Sequence, residues 1–130
     1  MNSVGIDIVP ISRVKGWDKD EDYLNKILSK REKKYILGEK KSQKLLATHI
    51  AAKEAVMKAL GTGWDCGIGW RDIEVVNDIN KKLRVRLYSK AKTFLGKRKA
   101  FLSTAYAGDM AVAMVILEEK KKPLNPKIKV

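Results

Sequence analysis

One stretch constrains this chain more than any other: T-H-I-A-A-K-E-A-V-M-K-A-L-G-T-G, from Thr48 to Gly63. Alanine, leucine and methionine favour the helical state, and Gly61 stands where a helix would stop. The segment is nearly apolar all round, which is the pattern of a buried helix. It nevertheless carries Glu54 and Lys58, four residues apart and therefore on one face. Carboxylates and ammonium groups rarely accept full burial without a partner. The two read either as a functional site or as an ordinary ion pair at a solvated edge.

The remaining sequence fits one domain around that helix. The chain has 130 residues, 45% of them hydrophobic, enough for a real core. No apolar run approaches the length of a membrane span, and no charged leader precedes an apolar run, so a soluble cytoplasmic protein is expected. The single cysteine, Cys66, cannot form an internal disulfide, and one His with one Cys cannot build a zinc site. Lys and Arg total 28 against 15 Asp and Glu, a net charge of +13 that attracts polyanions without choosing among them.

Along the chain, Ser3 to Val9 alternates as a half-buried strand, with Val4, Ile6 and Ile8 on one face and Gly5, Asp7 and Val9 on the other. Pro10 ends it or opens a short helix through Lys15. Helices are expected over Tyr23–Leu28, capped from the polar run Asp18–Asp22, then over Lys30–Leu37 capped by Ser29, and over Ser42–Leu60. A glycine-rich loop spans Thr62–Gly69. Two strands, Asp72–Val76 and Leu83–Leu87, flank a polar turn, and a short helix covers Ser89–Lys97. Ala100–Ala107 and Met110–Leu117 form a hairpin about Gly108-Asp109. This order predicts an α+β fold, an antiparallel sheet packed against helices including one long buried helix. The domain is expected over residues 1–118, followed by a basic, flexible tail over 119–130 with two prolines.

Three groups carry chemical potential. Asp7 interrupts an apolar strand, where aspartate is disfavoured; it is either a solvent-facing edge residue or part of a site. If it lies near Glu54, two carboxylates converge beside one ammonium, an arrangement that calls for a cation or a shared proton. Mg²⁺ suits such a place, taking one or two carboxylates with water and substrate phosphates, and Lys58 beside it would meet phosphate. Gly61-Thr62-Gly63 follows a helix instead of preceding one, so Gly61 reads as a C-cap and not as a phosphate cradle. Trp64 and Trp70 read as packing residues. The basic run containing Lys30, Arg31, Lys33, Lys34, Lys40, Lys41 and Lys44 reads as solvated faces, and aromatics are not interleaved with it as on an RNA-stacking surface.

Taken together, V-G-I-D-I-V-P-I-S-R (Val4–Arg13), A-A-K-E-A-V-M-K-A-L-G-T-G, and the closing W-R-D-I-E-V and L-S-T-A-Y-A-G-D-M-A-V-A-M-V-I resemble the holo-acyl-carrier-protein synthase family of 4′-phosphopantetheinyl transferases, over nearly the whole chain to about Glu118. The resemblance implies transfer of 4′-phosphopantetheine from coenzyme A to a serine of acyl carrier protein, with release of adenosine 3′,5′-bisphosphate, in the service of fatty acid biosynthesis. It implies Mg²⁺ held by Asp7 and Glu54, with Lys58 at the pyrophosphate, so that Asp7, Glu54 and Lys58 are catalytic. It places His49, Lys53, Lys58, Gly61, Ser103 and Tyr106 on the coenzyme A side. Arg13 and Lys15 fall on the side of the acidic carrier protein, and a homotrimer with sites between subunits is expected.

The sequence also departs from the family pattern. Tyr106 stands where the family's S-x-x-H has histidine, and His49 stands where arginine is usual. Both expected residues would contact coenzyme A phosphates, and His49 with Tyr106 is the expected replacement. The turn before Leu83 lacks Gly-Lys-Pro, and Asp18–Asp22 is acidic where a basic docking region is expected. The competing readings are a small basic RNA-binding α+β domain and a catalytically inactive carrier-protein-binding module.

Overall fold

The computed structural model describes residues 2–120. Its elements run β1 (Ser3–Pro10), α1 (Glu21–Ile27), α2 (Lys30–Leu37), α3 (Ser42–Leu60), β2 (Ile73–Asn77), β3 (Leu83–Leu87), α4 (Ser89–Leu95), β4 (Lys99–Ala107) and β5 (Met110–Glu118). The expected tail falls largely outside the described residues.

The α+β expectation holds. One antiparallel sheet has the order β1-β5-β4, and β2 and β3 form a separate antiparallel pair. Helix α3 lies across the first sheet, packing chiefly on β1 and β5. Twelve of its 19 residues are buried, which explains its lack of a polar face. Gly61 ends it in the left-handed conformation, φ 73°, with its N–H bonded to the carbonyls of Met57 and Lys58. No helix is long and apolar enough to cross a membrane among the described residues.

The caps follow the sequence. Asp20 accepts from the Tyr23 N–H at 3.1 Å to start α1. Ser29 and Glu32 form a reciprocal capping box at the start of α2. The acidic run Asp18–Asp22 is thereby largely absorbed into structure. Asp18 accepts from the Ser42 hydroxyl at 2.7 Å and ties the start of α3 down, Asp20 caps α1, and Glu21 pairs with Lys33 at 2.7 Å.

The orientation of β1 is the least obvious feature. Gly5, Asp7 and Val9 face α3 and are buried, whereas Val4, Ile6 and Ile8 are each more than half exposed. The side with smaller residues turns inward because the helix comes very close there. A Cβ on Gly5 would collide with the Ala55 carbonyl and lie 2.7 Å from the Ala59 nitrogen. The Ser3 hydroxyl donates to the Ala59 carbonyl at 2.7 Å, a second tie along the same line.

Candidate active site

The close approach at Gly5 brings three charged side chains together from elements some fifty residues apart. Asp7 lies two residues further along β1 on the same inward face, and Glu54 and Lys58 adjoin Ala55 and Ala59 on α3. Lys58 Nζ donates to Asp7 Oδ1 at 2.9 Å and to the Ile6 carbonyl at 3.0 Å. Its ion pair is therefore made across to the strand. Two of its three N–H donors are bound to β1, and the half-exposed side chain keeps the third toward solvent.

Asp7 itself is buried, and its Oδ2 has no hydrogen-bond partner. The Glu54 carboxyl is pushed up from 4.5 to about 6, first by burial and then by the neighbouring Asp7 carboxylate; Arg13 and Lys58 oppose the rise. A buried, unpartnered carboxylate oxygen facing a second, protonation-prone carboxyl is a place that a hard cation fits. Among the described residues no cluster of three or more His, Cys, Asp or Glu is assembled. Two carboxylates, with water and phosphate oxygens completing the octahedron, match what Mg²⁺ takes, and Asp7 and Glu54 could hold it. Arg13 is exposed on the turn after β1, close enough to act on the charges of Glu54 and Tyr23, and Lys15 is exposed beyond it.

Tyr23 is a neighbour that sequence reasoning missed. Its ring packs edge-on against Trp17 with centroids 5.0 Å apart, and its hydroxyl is raised above its ordinary value by burial, with Arg13 lowering it and Glu54 raising it. Only its position at the start of an amphipathic helix signalled it.

A groove of about 410 Å³ runs between β4 and the β2–β3 turn, lined among others by Tyr35, Lys81, Lys82, Leu83, Ser103 and Tyr106. No carboxylate lines it. Ser103 is exposed at its edge. Gly61 lies at the end of α3, where its conformation and not lack of space requires glycine.

Two residues expected on the coenzyme A side are elsewhere. Lys53 is fully buried, and its ammonium shares its protons among Glu32 Oε1 (2.7 Å) and the carbonyls of Ile73 (2.6 Å), Ile27 (2.8 Å) and Trp70 (3.0 Å). It fastens α3 to four other segments and has no donor left for a ligand. His49 is also fully buried, with Nδ1 bonded to the Leu45 carbonyl at 2.8 Å. A carbonyl only accepts, so Nδ1 carries the proton. Nε2 is left without a partner inside the protein, and burial lowers the ring's pKa. The ring does not reach the groove. Trp64 and Trp70 stack on each other, with centroids 4.0 Å apart at 17°.

Residues 3–115 match the family model of the ACPS 4′-phosphopantetheinyl transferase superfamily. The chain is 41% identical over 120 residues to a holo-[acyl-carrier-protein] synthase of Geotalea daltonii, covering 88% of this chain and 96% of that protein. Among solved structures it resembles a holo-(acyl-carrier-protein) synthase of Bacillus anthracis in complex with CoA (3′,5′-ADP), at 30% identity and TM-score 0.76 over 91% of this chain and 96% of that one. It also resembles the Helicobacter pylori enzyme in complex with coenzyme A, at 26% identity and TM-score 0.76 over 88% and 99%. With its carboxylate pair and lysine set by the G-x-D strand against the K-E-A-x-x-K helix, this chain belongs to the holo-[acyl-carrier-protein] synthase family of the 4′-phosphopantetheinyl transferase superfamily.

Proposed function

We propose that this protein is a holo-[acyl-carrier-protein] synthase, moving 4′-phosphopantetheine from coenzyme A to a serine of apo acyl carrier protein and releasing adenosine 3′,5′-bisphosphate. The carrying observation is the meeting of Asp7, Glu54 and Lys58 at the Gly5 contact. An RNA-binding domain of this charge would leave the carboxylate pair, with its buried Asp7, without a role. Asp7 and Glu54 would hold Mg²⁺, which when bound supplies charge to offset the phosphates. Lys58, steered by Asp7 and the Ile6 carbonyl, presents its remaining N–H to a phosphate oxygen and stabilises the negative charge there. The serine oxygen bonds to the β-phosphorus of coenzyme A as it gives up its proton, and the bond from that phosphorus to the bridging oxygen breaks, its electron pair leaving on adenosine 3′,5′-bisphosphate, whose phosphate can take up a proton in exchange. Arg13 and Lys15 are exposed cations beside the site, suited to an acidic carrier protein.

The reading extends to a cytoplasmic enzyme of fatty acid biosynthesis, its transferase domain spanning residues 1–118, that works as a homotrimer. Support for assembly comes from the outer face of the first sheet. There Val4, Ile6 and Ile8 of β1 oppose Ile116, Met114 and Val112 of β5, and Phe101 follows on β4, an apolar surface left open on one chain.

The test is a mass shift. Apo acyl carrier protein incubated with enzyme, coenzyme A and Mg²⁺ should gain a phosphopantetheine adduct, and the Asp7→Ala and Glu54→Ala variants should give none. No adduct from the wild-type enzyme would overturn the assignment.

A further inference from the structure

Tyr106, in the lining of the groove beside β4, is the centre of a second constellation that reaches across to α3. Thr48, on α3, donates its hydroxyl hydrogen to the Lys44 carbonyl at 2.8 Å. The same oxygen lies 2.5 Å from the Tyr106 hydroxyl. A threonine hydroxyl has one hydrogen, already given to Lys44, so Tyr106 is the donor in the second bond. Tyr106 then has no hydrogen left for a ligand. Its oxygen presents only lone pairs, which a phosphate oxygen avoids. In this arrangement the tyrosine hydroxyl is committed to Thr48 and not to a ligand, and His49 is sealed inside.

The ring of Tyr106 does something else. Lys44 Nζ sits over it, 3.9 Å from the centroid. The ammonium makes no hydrogen bond to a protein acceptor among the described residues. Its three donors are unclaimed beside Tyr106, a residue that lines the groove together with Lys81 and Lys82. The Thr48 bond fixes the ring, the ring holds the ammonium, and the backbone of Lys44 is held by the same threonine.

We propose that Lys44 is the cation that receives a phosphate of coenzyme A where Tyr106 borders this groove, and that Tyr106 is its positioning residue and not itself a phosphate ligand. The proposal rests on the coenzyme A reading above, and it assigns to this chain a different solution from the His49–Tyr106 pair that the sequence suggests.

Calorimetric titration with coenzyme A and with adenosine 3′,5′-bisphosphate tests it. Lys44→Met should weaken both by about tenfold, the loss of one charge-assisted contact. Tyr106→Phe keeps the ring and should stay within about twofold of wild type. Tyr106→Leu removes the ring and should weaken binding by about threefold. In the Lys44→Met background, Tyr106→Leu should add nothing further, because the ring acts through the lysine. Lys97→Met, an exposed lysine elsewhere, should leave affinity unchanged and so separates contact from net charge. Lys44→Met binding as tightly as wild type would overturn the proposal, as would Tyr106→Phe losing as much as Lys44→Met. A folded wild-type protein that binds neither ligand would instead overturn the coenzyme A reading, and this proposal with it.

Discussion

Lys53 Nζ lies 2.7 Å from Glu32 Oε1, and both side chains are wholly enclosed. Glu32 is held from several sides, since its other oxygen accepts from the Val75 N–H at 3.0 Å and Oε1 also accepts from the Ser29 N–H at 3.0 Å. The pair joins α3 to α2, to the end of α1 and to the entry of β2. The lysine beside Glu54 is thus a structural clamp.

That assignment predicts the phenotype of Lys53→Met. Removing one partner leaves a buried carboxylate uncompensated, which costs about 3–5 kcal/mol. Urea unfolding should show a lower midpoint at an unchanged slope. Coenzyme A affinity, measured on the folded fraction below the transition, should match wild type. A variant that lost affinity while keeping its stability would return Lys53 to the ligand side.

Gly5 sets the distance between β1 and α3, and its replacement should act on stability and site together. In Gly5→Ala the new methyl meets backbone atoms of Ala55 and Ala59, which cannot swing aside as a flexible side chain would. Overpacking of this kind costs about 3 kcal/mol. The strand must move off the helix, so metal affinity should fall by about tenfold or more in the fraction that folds, with Asp7 and Glu54 both still present. Thermal unfolding and Mn²⁺ binding measured on the same preparation check the two effects.

The Glu54 carboxyl, raised from 4.5 to about 6, makes two linked predictions. Between those values the folded protein holds the proton more tightly than the unfolded chain. Stability without metal therefore falls as pH rises through 4.5 to 6, and the cost is fully present above 6. Because Glu54 is partly exposed, solvent screening reduces that cost to about 1 kcal/mol. Glu54→Gln should accordingly be more stable than wild type by about that amount at neutral pH, with the gap closing below about pH 4.5. In the wild type, metal binding should weaken as pH drops below about 6, since the cation competes with that proton. Metal titrations by calorimetry across pH 5–8 check this; affinity flat through pH 6 would exclude Glu54 as a ligand.

Much of this was legible in the sequence because it is local. The buried helix, its glycine cap, the Ser29 cap and the Gly108 hairpin each rest on neighbouring residues, and Glu54 and Lys58 stand out as charges on an apolar helix. What escaped depends on direction and distance. Lys53 precedes Glu54 by one residue, a rotation of about 100° on the helix, enough to turn it from the site into the core. Its acceptors lie 17 to 26 residues away. His49 and Tyr106 looked equivalent as polar groups near a phosphate, but the chemistry is set by the bonds they already make, and the Tyr106 partner is 58 residues distant. Alternation in β1 gave two faces without saying which was inside. Residue size favoured Val4, Ile6 and Ile8, and the helix approach at Gly5 reversed it.

That reversal leads to the last prediction. Ile6 is 51% exposed on a face whose neighbours across the strand, Met114 and then Ser103, continue into Phe101 and Val112. A sheet face this apolar is costly to leave in water, and burying it between copies would gain about 25 cal/mol for each Å² covered. Ile6→Lys places an ammonium in the middle of the patch, while its backbone and the inward Asp7 are untouched. Sedimentation velocity should show the wild-type protein as a trimer and Ile6→Lys as a smaller species, with the variant retaining its helical circular dichroism. If coenzyme A binding falls with assembly, the groove beside β4 is completed by a neighbouring copy. A wild-type protein that sediments as a monomer at micromolar concentration would leave the apolar face to some other cover and remove the homotrimer from the proposed function.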